Sequence, residues 1–304
     1  MNEPARIHII QPDLHLIELI PPLAGFEDFI GAWLLTGPET ILVDVGPSAT
    51  VPALVNALQT IGVSRLDYIL LTHIHIDHAG GAGDLVRALP GTPVVCHKTG
   101  ISHLLNPERL WTGSLKTLED TARAYGPISP VPAELLLDAG QFKTRIIEPI
   151  LTPGHAPHHV SYISDTIAFA GETAGVYLSL PDGKFYHRPA TPPRFFWDTA
   201  LASMDALAAR MTETCCFGHF GSYPRGAEIL SRHKEQLVLW RKIIGEVLAI
   251  SGVEDPVALA LGRLLAADDN LSAYSGMAPA VQSRERGFLI NSIKGFIGYL
   301  ESCR

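Results

Sequence analysis

Cysteine is scarce, with four thiols in 304 residues (Cys96, Cys215, Cys216 and Cys303) and no CxxC pair. That excludes a disulfide framework, and the expectation is reduced thiols in a cytoplasmic protein. Basic clusters are missing too. Lys and Arg total 23 against 31 Asp and Glu, a net charge of −8, so no surface is built to displace counterions from a polyphosphate and no nucleic-acid partner is expected. No apolar run reaches the ~18 residues of a membrane helix. Residues 1–25 lack a basic start, an apolar stretch and a small-residue cleavage site, so neither secretion nor a membrane partner is expected. A nucleophile elbow and a phosphate loop are also absent: residues 180–184 hold one glycine, and Gly80-Gly81-Ala82-Gly83 is not followed by Lys-Ser/Thr.

The composition that remains, 47% hydrophobic and 18% charged, is that of a globular chain. Short apolar runs at 32–35, 40–45, 68–71 and 93–96 alternate with helical patterns at 51–61 and 82–89, which is the rhythm of a layered α/β fold. The earliest strands lie too close together for helical crossovers, so the leading sheet should be mostly antiparallel. Strands resume at 145–151, 160–163 and 166–170, and a helix is expected over 198–211. Residues 98–138 form a weakly periodic stretch too long for an ordinary connection, and it is expected to cover something. Residues 180–197 read as a second irregular segment, whose Phe195, Phe196 and Trp197 could line a pocket. The division expected is a metal-binding unit over 1–222 and a helical C-terminal region over 223–304, with helices at 227–250, 256–267 and 284–300. Apolar faces on those last helices suit a homodimer.

The most informative line is Thr72-His73-Ile74-His75-Ile76-Asp77-His78-Ala79-Gly80-Gly81, directly after the apolar run Tyr68-Ile69-Leu70-Leu71. Imidazole and carboxylate suit zinc or iron, and short spacings let one loop fix several ligands. In an extended segment His73 and His75 project to one side, whereas Asp77 and His78 converge only where the chain turns. Two neighbouring metal positions follow. One loop cannot complete both, and three candidates elsewhere share a pattern: His155 in Leu151-Thr152-Pro153-Gly154-His155, Glu172 in Phe169-Ala170-Gly171-Glu172, and His219 in Cys216-Phe217-Gly218-His219. Each follows an apolar run that ends in glycine, as expected where backbone is brought close to a shared site.

These residues resemble the motifs of the metallo-β-lactamase-fold superfamily, over roughly residues 15–222. The resemblance implies a four-layer αββα sandwich with a helical C-terminal extension and a binuclear metal site at the sheet edges. It makes His73, His75 and His155 ligands of one metal, Asp77, His78 and His219 ligands of the other, and Glu172 the bridge. Asp44 would orient the metal-binding loop from behind. The bridging position is normally aspartate in the family. The extra methylene of Glu172 displaces the carboxylate by roughly 1.5 Å, so either the backbone compensates or one ion binds weakly. His158 and His159 are expected behind the ligands or at the surface.

The function expected is a metal-dependent hydrolase of a small-molecule thioester, ester or lactone, similar to the glyoxalase II and lactonase branches. A metal-bound hydroxide would attack the carbonyl, and Asp77 would hold it and pass a proton to the leaving group. Two divalent ions are implied, zinc first, with iron or manganese also suited to such ligands. Redox members of the family usually carry an acidic residue at the position of His75, so by this resemblance its histidine implies hydrolysis. Tyr177 and Tyr186 are candidates for binding the substrate carbonyl, or else core phenols. Two other readings are a mononuclear iron oxidoreductase resembling persulfide dioxygenases, and a non-catalytic binding protein stabilised by metal.

Overall fold

The computed structural model describes residues 5–180, 183–211 and 213–303. Seven strands form one sheet in chain order: β1 (Ile7–Gln11), β2 (Leu14–Glu18), β3 (Gly31–Leu35), β4 (Ile41–Val43), β5 (Tyr68–Leu70), β6 (Val94–Cys96) and β7 (Leu136–Asp138). The first four pair antiparallel, as their close spacing requires. From β4 to β7 the pairs are parallel, so half the pairings of this sheet come from crossovers.

The second sheet contains β8 (Glu148–Leu151), β9 (Val160–Ser164), β10 (Ile167–Gly171), β13 (Thr214–Phe217) and β14 (Ser222–Tyr223), in the order β14-β13-β10-β9-β8. Strands β11 (Val176–Ser179) and β12 (Phe185–Arg188) make a separate hairpin. This hairpin falls partly within the segment expected to be irregular, of which residues 181 and 182 lie outside the described residues.

The helices are α1 (Val51–Ile61), α2 (Ile76–Ala79), α3 (Ala82–Ala88), α4 (Lys98–Leu105), α5 (Glu108–Leu118), α6 (Asp120–Tyr125), α7 (Trp197–Ala208), α8 (Gly226–Leu248), α9 (Pro256–Ala267) and α10 (Pro279–Ser302). Three of them, α4 to α6, occupy the stretch expected to be weakly periodic. They are short, and α5 fully buries none of its residues, though Leu110, Trp111 and Leu115 pack against the helix-side core.

Side chains alternate between two cores. Leu14, Leu16, Trp33, Val43 and Leu70 meet Val160, Tyr162, Phe169 and Cys216 between the sheets. Their neighbours Ile17, Leu34, Leu42 and Ile69 face the helices with Leu54, Leu58 and Leu85. This is the period-two signature of strands buried on both faces, and it builds the expected αββα sandwich. Helices α8, α9 and α10 pack on one another and extend the same helix-side core through Trp240, Leu264 and Phe296. Among the described residues no helix is long and apolar enough to cross a membrane.

Candidate metal centre

Four strand ends deliver the chemistry. The HxHxDH loop leaves β5, with His75 at the N-terminus of α2 and Asp77 and His78 within it. His155 follows β8, Glu172 follows β10, and His219 follows β13. The parallel register of β10 and β13 sets Gly171 opposite Phe217, which brings Glu172 and His219 to the same edge. Glycine is required there. Gly171 has φ +57°, and a Cβ on it would fall 2.3 Å from His159 Nε2. A Cβ on Gly218 would lie 2.9 Å from the Gly171 carbonyl carbon. The glycines flagged in the sequence therefore let two backbones touch beneath the site.

All seven expected ligands converge. His73, His75, His155 and Glu172 form one group and Asp77, His78 and His219 a second, with candidate ligand atoms in each group within 4.8 Å of one another. Glu172 reaches both. Its Oε2 lies 2.8 Å from His155 Nε2 and 3.2 Å from His73 Nε2, while Oε1 lies 3.2 Å from His219 Nε2. The longer side chain thus spans the two groups from the bridging position. Asp77 Oδ2 faces His78 Nε2 at 3.9 Å and His219 Nε2 at 4.0 Å.

The imidazoles are oriented from behind. Asp44 accepts from Thr72 N at 2.8 Å, from Thr72 Oγ1 at 2.8 Å and from His78 Nδ1 at 2.9 Å. Its φ of +58° is uncommon for a residue with a Cβ, and the three hydrogen bonds hold it there. His155 Nδ1 donates to the Ala190 carbonyl at 3.0 Å, which turns Nε2 toward Glu172. The phenol of Tyr162 donates to the Leu71 carbonyl at 2.9 Å, tying the start of the loop to the opposite sheet. His219 stacks on Phe29 at 4.2 Å, and the Arg284 guanidinium lies 4.0 Å from the centre of the Phe29 ring.

The donor set fits divalent ions. His73 Nε2 and His78 Nε2 are buried, make no hydrogen bond, and both face Glu172 Oε2. A buried imidazole nitrogen without a partner is costly unless something coordinates it. Burial holds His73 well below its ordinary pKa, and burial with His155 lowers His75 to about 4, so both offer a free lone pair at neutral pH. His78 differs. Burial opposes its charge, but Asp77 and Asp44 outweigh that and raise it to about 9, so an ion there would compete with a proton. Glu172 is pushed up by burial and pulled down harder by His155 and His219, which leaves it ionised.

The sequence left His158 and His159 either behind the ligands or at the surface. His159 is fully buried, and its Nε2 accepts the Glu172 backbone N–H at 3.0 Å while Nδ1 bonds Thr152 Oγ1 at 2.9 Å. It is placed behind the ligands and not at the surface. His158 is half-buried, with Nδ1 3.4 Å from Ile74 N. Phe29, which backs His219, carries no local signal at all.

A cavity of about 430 Å³ opens over the two groups, walled by α5 on one side and α10 on the other. Of the segments expected to cover the site, 98–138 does so through His103 on α4 and several residues of α5. From 180–197, Arg188, Ala190, Thr191 and Pro192 contribute, whereas Phe195 and Trp197 are buried against α10 through Phe296 and Tyr299. Tyr177 is not on the wall; it stacks on Phe217 at 4.9 Å, and Tyr186 is fully buried. Both are core phenols.

Comparison with known proteins bears on this geometry. The model of a family described as the metallo-beta-lactamase superfamily matches residues 27–219. A metallo-beta-lactamase fold-containing protein of Sulfurisphaera tokodaii is 28% identical over 240 residues, covering 74% of this chain and 84% of its own. The hydroxyacylglutathione hydrolase of Acidiphilium cryptum is 33% identical over 185 residues, 60% of each chain. Among solved structures, a metallo-beta-lactamase family protein from Thermus thermophilus superposes with a TM-score of 0.66 at 21% identity, covering 96% of this chain and 94% of its own.

Proposed function

Since this chain belongs to the metallo-beta-lactamase superfamily, we propose that it is a two-metal hydrolase of small thioesters, esters or lactones. The observation that carries the reading is the convergence of seven side chains in two groups spanned by the two oxygens of Glu172. The hydroxyacylglutathione hydrolases among its relatives support a carbonyl substrate.

His73, His75 and His155 would hold one ion, Asp77, His78 and His219 the other, and Glu172 both. Such ions, zinc foremost, supply Lewis acidity and lower the pKa of water to around ~7. The chain's own residues do the rest. The walls of α5 and α10 flank the carbonyl and shield part of the site from solvent. Asp77 is the one ligand carboxylate besides Glu172 on the cavity wall. With Oδ2 turned to the imidazoles, its Oδ1 accepts a proton from the attacking water and returns it to the leaving group. Asp44, Thr72 and His159 act as positioning residues, fixing His78, His73 and Glu172 respectively.

The test combines metal analysis with a panel of thioester, ester and lactone substrates. Two zinc ions per chain with cleavage of one of these classes is expected, and a zinc-loaded protein that cleaves none would overturn the reading. One iron per chain with oxygen uptake on a glutathione persulfide would instead establish an oxidoreductase.

A further inference from the structure

Apolar side chains line much of the cavity beside the metal-ligand candidates, interspersed with His103, Arg109, Arg188 and Asn291. Ile76, Leu110, Leu118, Pro192 and Phe288 face it from α2, α5, the loop after β12, and α10. Leu118 is 37% exposed, a large apolar side chain that this fold leaves uncovered at the cavity. Along α5 the wall is formed by Leu110, Gly113, Ser114, Thr117 and Leu118, which is one helical face by spacing. The neighbouring positions Trp111 and Leu115 pack against the core and anchor the helix.

Gly113 is the unusual member of that face. It sits mid-helix, where glycine costs roughly 1 kcal/mol against alanine, and its φ is not in the left-handed region. No backbone crosses it either: a Cβ built there meets nothing within 4 Å. Its open side lies on the cavity, so a side chain added there would take up cavity space. We propose that the cleft between α5 and α10 receives an extended apolar acyl chain, and that Gly113 sets how long that chain can be. This rests on the hydrolase reading and specifies its substrate class: acyl thioesters or esters whose chain carries several methylenes.

Two measurements separate this inference from the reading beneath it. The first is kcat/KM for thioesters of one thiol with acetyl, butyryl, hexanoyl and octanoyl groups. In the wild type it should rise by about fourfold for each methylene that enters the cleft. In Gly113→Leu the octanoyl-to-acetyl ratio should fall by roughly 15- to 60-fold, the equivalent of two or three such steps. The helix gains propensity from leucine, so a folded variant is expected and its thermal melting should not fall. The second is calorimetric binding of octanoate, which needs no turnover. Octanoate bound by the wild type and at least tenfold more weakly by Gly113→Leu supports the cleft even if no thioester is cleaved, an outcome in which only the hydrolase reading fails. Cleavage that does not depend on chain length, or octanoate bound equally by both proteins, overturns the inference.

Discussion

Asp44 and His78 are joined by a 2.9 Å hydrogen bond from imidazole Nδ1 to carboxylate Oδ2, although 34 positions separate them in the chain. The same carboxylate receives the backbone and hydroxyl of Thr72, so one residue at the end of β4 fixes both the entry to the HxHxDH loop and the ring orientation of one of its histidines. Both partners are buried, and water cannot replace either contact.

Asp44→Asn tests that relationship. Asparagine tolerates the left-handed backbone, but its amide group sets a donor against Thr72 or His78 where an acceptor is needed. Metal affinity, read by competition with a chromophoric chelator, is expected to fall about 10- to 100-fold. Wild-type affinity would disconnect Asp44 from the metal centre.

Glu172 is long enough to touch both groups, so shortening it should hurt. Glu172→Asp withdraws the carboxylate by roughly 1.5 Å, and Glu172→Gln keeps its length without the charge. Each variant should hold fewer ions per chain than the wild type, as counted by elemental analysis after gel filtration. Two tightly held ions in the aspartate variant would show that a backbone shift suffices.

Helix α10 is pressed onto the loop that carries Ala190, the acceptor for His155. A Cβ at Gly295 would lie 2.0 Å from the Thr191 carbonyl oxygen, with the Pro192 carbonyl oxygen also close at 2.8 Å. Gly295→Ala should therefore cost about 1–3 kcal/mol despite its better helix propensity. At Gly298, one turn on, nothing lies within 4 Å, and Gly298→Ala should stabilise by roughly 0.5–1 kcal/mol. Urea denaturation of the pair measures both signs, and equal effects would refute the close approach.

Glu285 on α10 joins Arg188 Nε at 2.5 Å and Arg284 Nε at 2.9 Å, and it is fully buried. Burial pushes its carboxyl up, while Arg188 and Arg284 pull it further down, so its folded pKa lies below the ordinary value. A depressed carboxyl stabilises the fold above the unfolded pKa of ~4.3, and that contribution is lost as pH falls through the folded value. Stability from chemical denaturation should drop below about pH 4.3 more steeply in the wild type than in Glu285→Gln. At pH 7 the variant should be about 3–5 kcal/mol less stable, because it leaves two buried guanidinium groups without their anion. Parallel pH profiles would show that the ion pair contributes nothing.

Much of the site was legible before the fold. The alternation of short apolar runs with helical patterns along residues 32–96 announced the layers, and glycine before His155, Glu172 and His219 announced three close approaches. Helices α4 to α6 were not legible, because each is at most 11 residues long, too short for its periodicity to stand out from the connecting segments. His159 was unreadable for another reason: nothing in the run Ala156-Pro157-His158-His159 says which ring turns inward to receive the Glu172 amide.

The donor types, their spacing within the loop and the strands that end beside them are local properties, set by neighbours a few residues apart and so readable from the chain alone. Three outcomes are not of that kind: Glu172 spans both groups, Tyr177 and Tyr186 turn away from the cavity, and α5 and α10 face each other across it. They depend on strand register and helix docking between segments far apart in the chain. Such long-range choices are set by the summed packing of both cores, which no local pattern encodes.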